Sequence, residues 1–182
     1  MNRSLIKLLA ALALLGSLSG CASLSKSDCL SADWESIGVR DGANGQPEEY
    51  LQQHFKACAK VQVVPDRGAW LHGRERGLDR YCVPQRAYQA GEYGNGFNVY
   101  LCGNYDQDRL DAAWAKGHDV NTASNAISSI DGEMRDVRHE LERDDLERKE
   151  RERLAFRLGQ LVYERGDAQR AYDEAVYRAR TL

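Results

Sequence analysis

The stretch WLHGRERGL, residues 70–78, sets Gly73 and Gly77 four apart behind a tryptophan. Glycine inside a helix costs about 1 kcal/mol relative to alanine. A helix that keeps two of them on one face therefore implies a second backbone lying close against it. WESIGVRDGANG (Trp34, Gly38, Gly42, Gly45) and YQAGEYGNG (Tyr88, Gly91, Gly94, Gly96) repeat the arrangement, and WAKGHDV at Trp114 is a weaker fourth instance. Small-residue faces are best known from membrane helices, but the steric reason holds in water. The spacing predicts short helices packed backbone to backbone. The alternative it leaves open is a ligand or glycan lying on exposed backbone.

Signals on either side fit a chain of short helices. Ser31 and Asp33 are placed to cap a helix running towards Gly42, and DGANGQP (41–47) supplies a turn rich in Gly, Asn and Pro. Pro47 opens PEEYLQQHFKACAK, where Tyr50, Leu51, Phe55 and Cys58 share helical spacing and Glu48 and Glu49 sit at the positive end of the dipole. Asp66 is placed to cap a third helix through Tyr81, and Pro84 begins a fourth that ends in the loop GNGF (94–97). FNVYLC (97–102) is the one stretch that reads as extended.

Four cysteines follow Cys21, namely Cys29, Cys58, Cys82 and Cys102. An even number in an exported chain reads as two disulfides. No C-x-x-C occurs, which removes the main support for zinc-ribbon and thioredoxin-like sites. Three connectivities exist. Cys29 opens one helical pattern and Cys58 closes the next, which favours Cys29–Cys58 and Cys82–Cys102. Each such loop is worth about 3 kcal/mol in the chain-entropy treatment.

The start of the chain carries Arg3 and Lys7 and then an apolar run from Leu5 to Leu18. A run of about 14 residues is short for a spanning helix, which needs roughly 20, and it has the form of a secretory signal. LSGC (18–21) resembles the lipobox of bacterial lipoproteins, in which the cysteine becomes the first residue and carries diacylglycerol and palmitate-type chains. That resemblance implies lipid attachment at Cys21. Ala22 and Ser23 rather than Asp follow it, which by the same resemblance implies the periplasmic face of the outer membrane. An ordinary secretory cleavage, with Cys21 joining a disulfide, is the competing reading. The resulting division is signal peptide 1–20, tether 21–28, Cys/Gly-rich helical domain 29–119 and charged helical, coiled-coil-like tail 120–182. The mature part, about 160 residues, suits one domain or a small domain with an extension.

The order Cys29, Trp34, Gly38, Asp41, Gly42, Gly45, His54, Cys58, Pro65, Asp66, Gly73, Gly77, Leu78, Tyr81, Cys82, Gly91, Gly94, Cys102 resembles the bacterial lipoproteins grouped as domain of unknown function 2799. The resemblance covers about residues 21–118. It implies a small exported domain, commonly a lipoprotein, and no particular activity.

The tail has different physics. Ile127, Ile130, Met134, Val137 and Leu141 alternate spacings of three and four, the seam of a helix with one packing partner. ERDDLERKERER (142–153) then reads as a solvated helix laced by i,i+4 charge pairs, or as a spacer. Leu154, Leu158 and Leu161 restore an apolar face. ERGDAQ (164–169) offers a turn with Gly166 at the stop and Asp167 as the next cap, so that an alanine-rich last helix (Ala168, Ala171, Tyr172, Ala175, Val176, Ala179) is expected to fold back on Phe156 to Val162. The fold class expected is mainly α: a small disulfide-stapled, glycine-rich helical domain followed by a long charged helix and a helical hairpin.

Chemistry is sparse by comparison. Removing the two cations of the signal moves the formal charge from −3 to −5, with no basic stripe, so nucleic acid is not an expected partner. His54 and Cys58 stand at i,i+4 with His72 nearby in sequence, but structural zinc takes four ligands and Cys58 is better used in a disulfide. HELER at His139 has Arg143 where a zincin needs its second histidine. Asp41, Asp66, Glu75 and Glu92 are the carboxylates from which a glycosidase pair would come, although acids at helix starts usually cap. RGD at 165–167 is read as a turn. No catalytic residue, metal or cofactor is assigned. Asp41, His54, Asp66 and Tyr81 mark a possible ligand surface. The expected function is a non-catalytic, outer-membrane-anchored lipoprotein, held to the membrane by its lipid, that docks a protein or itself through residues 120–182. The alternative is a peptidoglycan- or glycan-binding or hydrolysing envelope protein.

Overall fold

A computed structural model describes residues 23–181, so the signal peptide and lipid attachment at Cys21 lie outside the described residues. Among these residues the chain forms seven α-helices, three 3-10 turns and no strand. The helices are α1 (Lys26–Leu30), α2 (Trp34–Ala43), α3 (Leu51–Cys58), α4 (Arg67–Tyr81), α5 (Pro84–Glu92), α6 (Gln107–Leu141) and α7 (Arg148–Ala179). The 3-10 turns are Glu48–Tyr50, Ala59–Val61 and Val99–Cys102. FNVYLC is thus not extended: a single tight turn points both Val99 and Cys102, three apart, into the core. Among the described residues no helix is long and apolar enough to cross a membrane. The chain divides into two compact units, one ending at Gly77 and the other beginning at Leu78.

In the first unit α2 and α4 pack on their glycines. A Cβ added at Gly38 would fall on the Trp70 carbonyl, at Gly42 on that of Arg74, at Gly73 on that of Glu35 and at Gly77 on that of Val39. The contacts advance together along both chains, so the helices run parallel. Local signals start each one: Asp33 accepts from Ser36 N–H at 3.2 Å and Asp66 from Ala69 N–H at 3.0 Å, both satisfying orphan amides of a first turn. Cys29 is bonded to Cys58, with their Cα atoms 5.4 Å apart. The core gathers Leu24, Ile37, Leu51, Ala57 and Trp70 around that bridge. Much of the stretch expected as a tether is ordered: Leu24 is buried, and Ser25 and Asp28 form a capping box at the start of α1.

The second unit opens with the pair α5 and α6, stapled by Cys82–Cys102. A Cβ at Gly91 would strike the Trp114 carbonyl, and one at Gly117 that of Tyr88. Helix α6 then runs on for 35 residues and α7 returns antiparallel over 32. The 119/120 boundary expected from sequence falls inside α6, where Val120 packs on Ala175 and Ala179 of the returning helix.

The hairpin exists, but its turn is not at Gly166. It lies at residues 142–147, inside the stretch expected to be solvated helix. Arg151 explains part of this: its guanidinium donates to the carbonyls of Leu141 at 2.7 Å and Arg143 at 3.0 Å, capping the end of α6 from the other arm. Leu146 joins Met134, Val137, Leu154 and Leu161 in one apolar seam. Gly166 stays helical because its neighbours are held across the hairpin; Arg165 donates to Asp131 at 2.7 Å. The local cost of one helical glycine is offset by that packing.

Candidate functional site

The buried polar groups of the first unit converge on Asp41. Helix α2 carries it between Gly38 and Gly42, so the flush contact with α4 brings its carboxylate against Trp70, whose Nε1–H donates to Oδ2 at 2.9 Å. From α3, His54 shares the inward face with Leu51 and Cys58, and its Nε2 lies 2.7 Å from the same oxygen. Its Nδ1 lies 2.9 Å from Ser23 Oγ. With Asp41 ionised, Nε2 carries the proton, and a neutral ring accepts the Ser23 hydroxyl proton at Nδ1. Tyr50 meets the imidazole edge-on at 5.2 Å, with Trp34 and Trp70 at 6.3 and 6.4 Å. His54 and Trp70 are 0% exposed and Asp41 4%. From the solvent side Arg40 reaches the carboxylate, its Nε 3.6 Å from Oδ1.

Hydroxyl, imidazole and carboxylate in a chain have the composition of a hydrolase relay. The surroundings argue otherwise. The imidazole offers no surface to a substrate, and among the described residues no buried side-chain polar atom lacks a partner. A buried group in that state locks a fold together. Here it joins four segments: the chain at Ser23, α2, α3 and α4.

Of the residues expected to share a ligand surface, Asp41 and His54 do meet, but in the interior. Asp66 is an exposed cap of α4. Tyr81 belongs to the second unit, stacked on Phe97 at 4.6 Å, with its hydroxyl accepting the Asn98 N–H at 2.9 Å; burial pushes its pKa up. Glu92 accepts from Tyr88 at 3.0 Å. His72 lies 3.3 Å from Glu35, and among the described residues no three His, Cys, Asp or Glu side chains are grouped to hold a metal. Ser23 and Trp70 escaped the sequence reading as partners of His54 and Asp41.

A larger pattern also escaped it. Cys29 precedes Gly38 by nine residues, as Cys82 precedes Gly91; Cys58 precedes Gly73 by fifteen, as Cys102 precedes Gly117. Trp70 and Trp114 each stand three before the second glycine. Helices α2 and α5 both end on a left-handed glycine, Gly45 (φ 70°) and Gly94 (φ 71°), closed by the amide two beyond the helix cap: Gln46 to Asp41 at 2.9 Å and Asn95 to Ala90 at 2.8 Å. The chain holds the same stapled helix pair twice.

Fold and centre together define a disulfide-stapled helical module, built as a tandem, whose buried polar atoms serve cohesion. Residues 33–119, which span both glycine crossings, match the family model described as "Protein of unknown function (DUF2799)". No curated protein and no solved structure matches the chain.

Proposed function

We propose that the protein is a lipoprotein anchored through Cys21 to the periplasmic face of the outer membrane, with a non-catalytic role in which α7 docks a protein partner or a second copy. The observation that carries the docking reading is on the outer face of that helix. Phe156, Tyr163 and Tyr177 are 69%, 80% and 70% exposed, and their spacing in multiples of seven places them on one stripe. Val162 extends the patch. Aromatic residues left in water on one helical face favour an interface. The lipobox resemblance, the small-residue sequence before Cys21 and the two disulfides support the exported, anchored setting.

Truncation at residue 119 is a poor test, because it would cut α6 and uncover Tyr88, which packs against Val120, Ala175 and Ala179. Replacing Phe156, Tyr163 and Tyr177 with alanine leaves the seam of Leu154, Leu158 and Leu161 untouched. The expected outcome is loss of crosslinked species in intact envelopes with the melting temperature preserved. Unchanged crosslinking would count against docking through this face. Intact mass of the membrane-extracted protein tests the acyl chains on Cys21. The second reading, a peptidoglycan- or glycan-directed protein, keeps a foothold in a cleft of the first unit rather than in the buried centre.

A further inference from the structure

A cleft of about 340 Å³ opens in the first unit, lined by Glu48, Glu49, Leu51, Gln52, Phe55, Arg67 and Leu71. Its floor is apolar: Leu51 is buried, and Phe55 and Leu71 pack against the core while keeping an exposed edge. Its rim is charged at two separate places. Glu48 and Glu49 come from the 3-10 turn Glu48–Tyr50, and Arg67 is the first residue of α4. Among the described residues Arg67 and Glu49 hold no ion pair, and Glu48 stands only within 3.9 Å of Arg74. The cleft therefore carries opposite charges that do not neutralise each other.

We infer that this cleft binds a diamino acid, free or as part of a short peptide. Two neighbouring carboxylates and one separate guanidinium complement the side-chain ammonium and the carboxylate at the two ends of such a molecule. An ammonium has three donors to share between Glu48 and Glu49, a carboxylate takes the guanidinium fork of Arg67 in two parallel bonds, and the aliphatic stem between them covers Leu51, Phe55 and Leu71. The volume falls in the range of small-ligand sites. The inference is independent of docking by α7 and gives the envelope-peptide reading a specific ligand.

The test uses the whole folded chain with both disulfides intact, titrated with L-lysine and followed by amide chemical shifts. The expected result is saturable shifts at Leu51, Phe55 and Leu71. Arg67→Gln and the double change Glu48→Gln with Glu49→Gln should each weaken binding about tenfold, and all three side chains are exposed enough that folding is unaffected. Hexylamine, which has no carboxylate, and hexanoate, which has no ammonium group, should bind more weakly than lysine. A peptide ending in lysine distinguishes the sources: tighter binding than free lysine assigns the site to a stem peptide, weaker binding to the free amino acid, and both results carry the inference. Absence of saturable shifts at those residues, or affinity indifferent to the substitutions, overturns it.

Discussion

The two stapled helix pairs share a frame and fill it differently. In the first, α2 continues past Gly38 for another turn, so a second close approach is needed and Gly42 meets α4 beside Gly77. In the second, α5 stops at Glu92, and the position matching Gly77 is Asn121, whose amide donates to the Glu92 carbonyl at 2.8 Å. A glycine is required where two helices run on together; an asparagine serves where one of them ends. The tryptophans follow suit. Trp70 donates to the buried Asp41 side chain, whereas Trp114 donates to the main-chain oxygen of Asn95 at 2.9 Å. The first pair is locked through side chains, the second through backbone.

The largest effect expected comes from the shared element. Gly73→Ala and Gly117→Ala each drive a Cβ into a carbonyl that belongs to a helix and cannot move freely; each should lower stability by about 3 kcal/mol, read from chemical denaturation. A much smaller cost at Gly117 would show that the single-glycine crossing is looser than its twin. Next comes the unshared lock. His54→Ala strips Asp41 and Ser23 of a partner in the interior and should cost about 2 to 3 kcal/mol, while Asn95→Ala leaves the carbonyl that Trp114 uses and should stay within about 0.5 kcal/mol. Equal losses would erase the distinction between side-chain and backbone locking.

The smallest effect is confined to alkaline solution. Tyr88, on α5, has its hydroxyl pushed from 10.0 up to about 12, first by burial and then by its hydrogen bond to Glu92 and the charges of Glu92 and Tyr172. The folded state thus favours the neutral phenol. That contribution is complete below pH 10 and is lost as pH rises towards 12. The matching position in the first pair is Glu35, which has no phenol to lose. Urea midpoints taken across this window should fall for the native chain and fall less steeply for Tyr88→Phe; parallel declines would remove Tyr88 as the cause.

Much of this frame was legible in the chain. Asp33, Asp66 and Pro84 mark helix starts because caps act locally, and glycine pairs at helical spacing point to close backbones because little else compensates their cost. Cys29–Cys58 was legible as the bridge that closes a helical hairpin and Cys82–Cys102 as the pair that remains, although Cys29 lies near the end of its own short helix, α1. The tandem is equally present, in the matched cysteine-to-glycine intervals, and shows only when the glycine runs are aligned on the cysteines. The hairpin turn was misplaced for a physical reason. Gly166 followed by Asp167 has stop-and-cap chemistry, yet the ends of α6 and α7 are decided by Arg151 and Leu146, which act across the hairpin. His54 was visible as a feature, but its role depended on Ser23, 31 residues away in sequence, and no local pattern reports such a partner.

If Cys21 carries its lipid as proposed, the bond from Ser23 to His54 also sets how far the molecule stands from the membrane. Ser23 comes two residues after Cys21, and two extended residues span at most about 7 Å. With fatty chains on that cysteine, as proposed, the polypeptide has almost no leash. Any reach into the surrounding compartment must then be built from rigid helix, of which α6 alone provides about 50 Å.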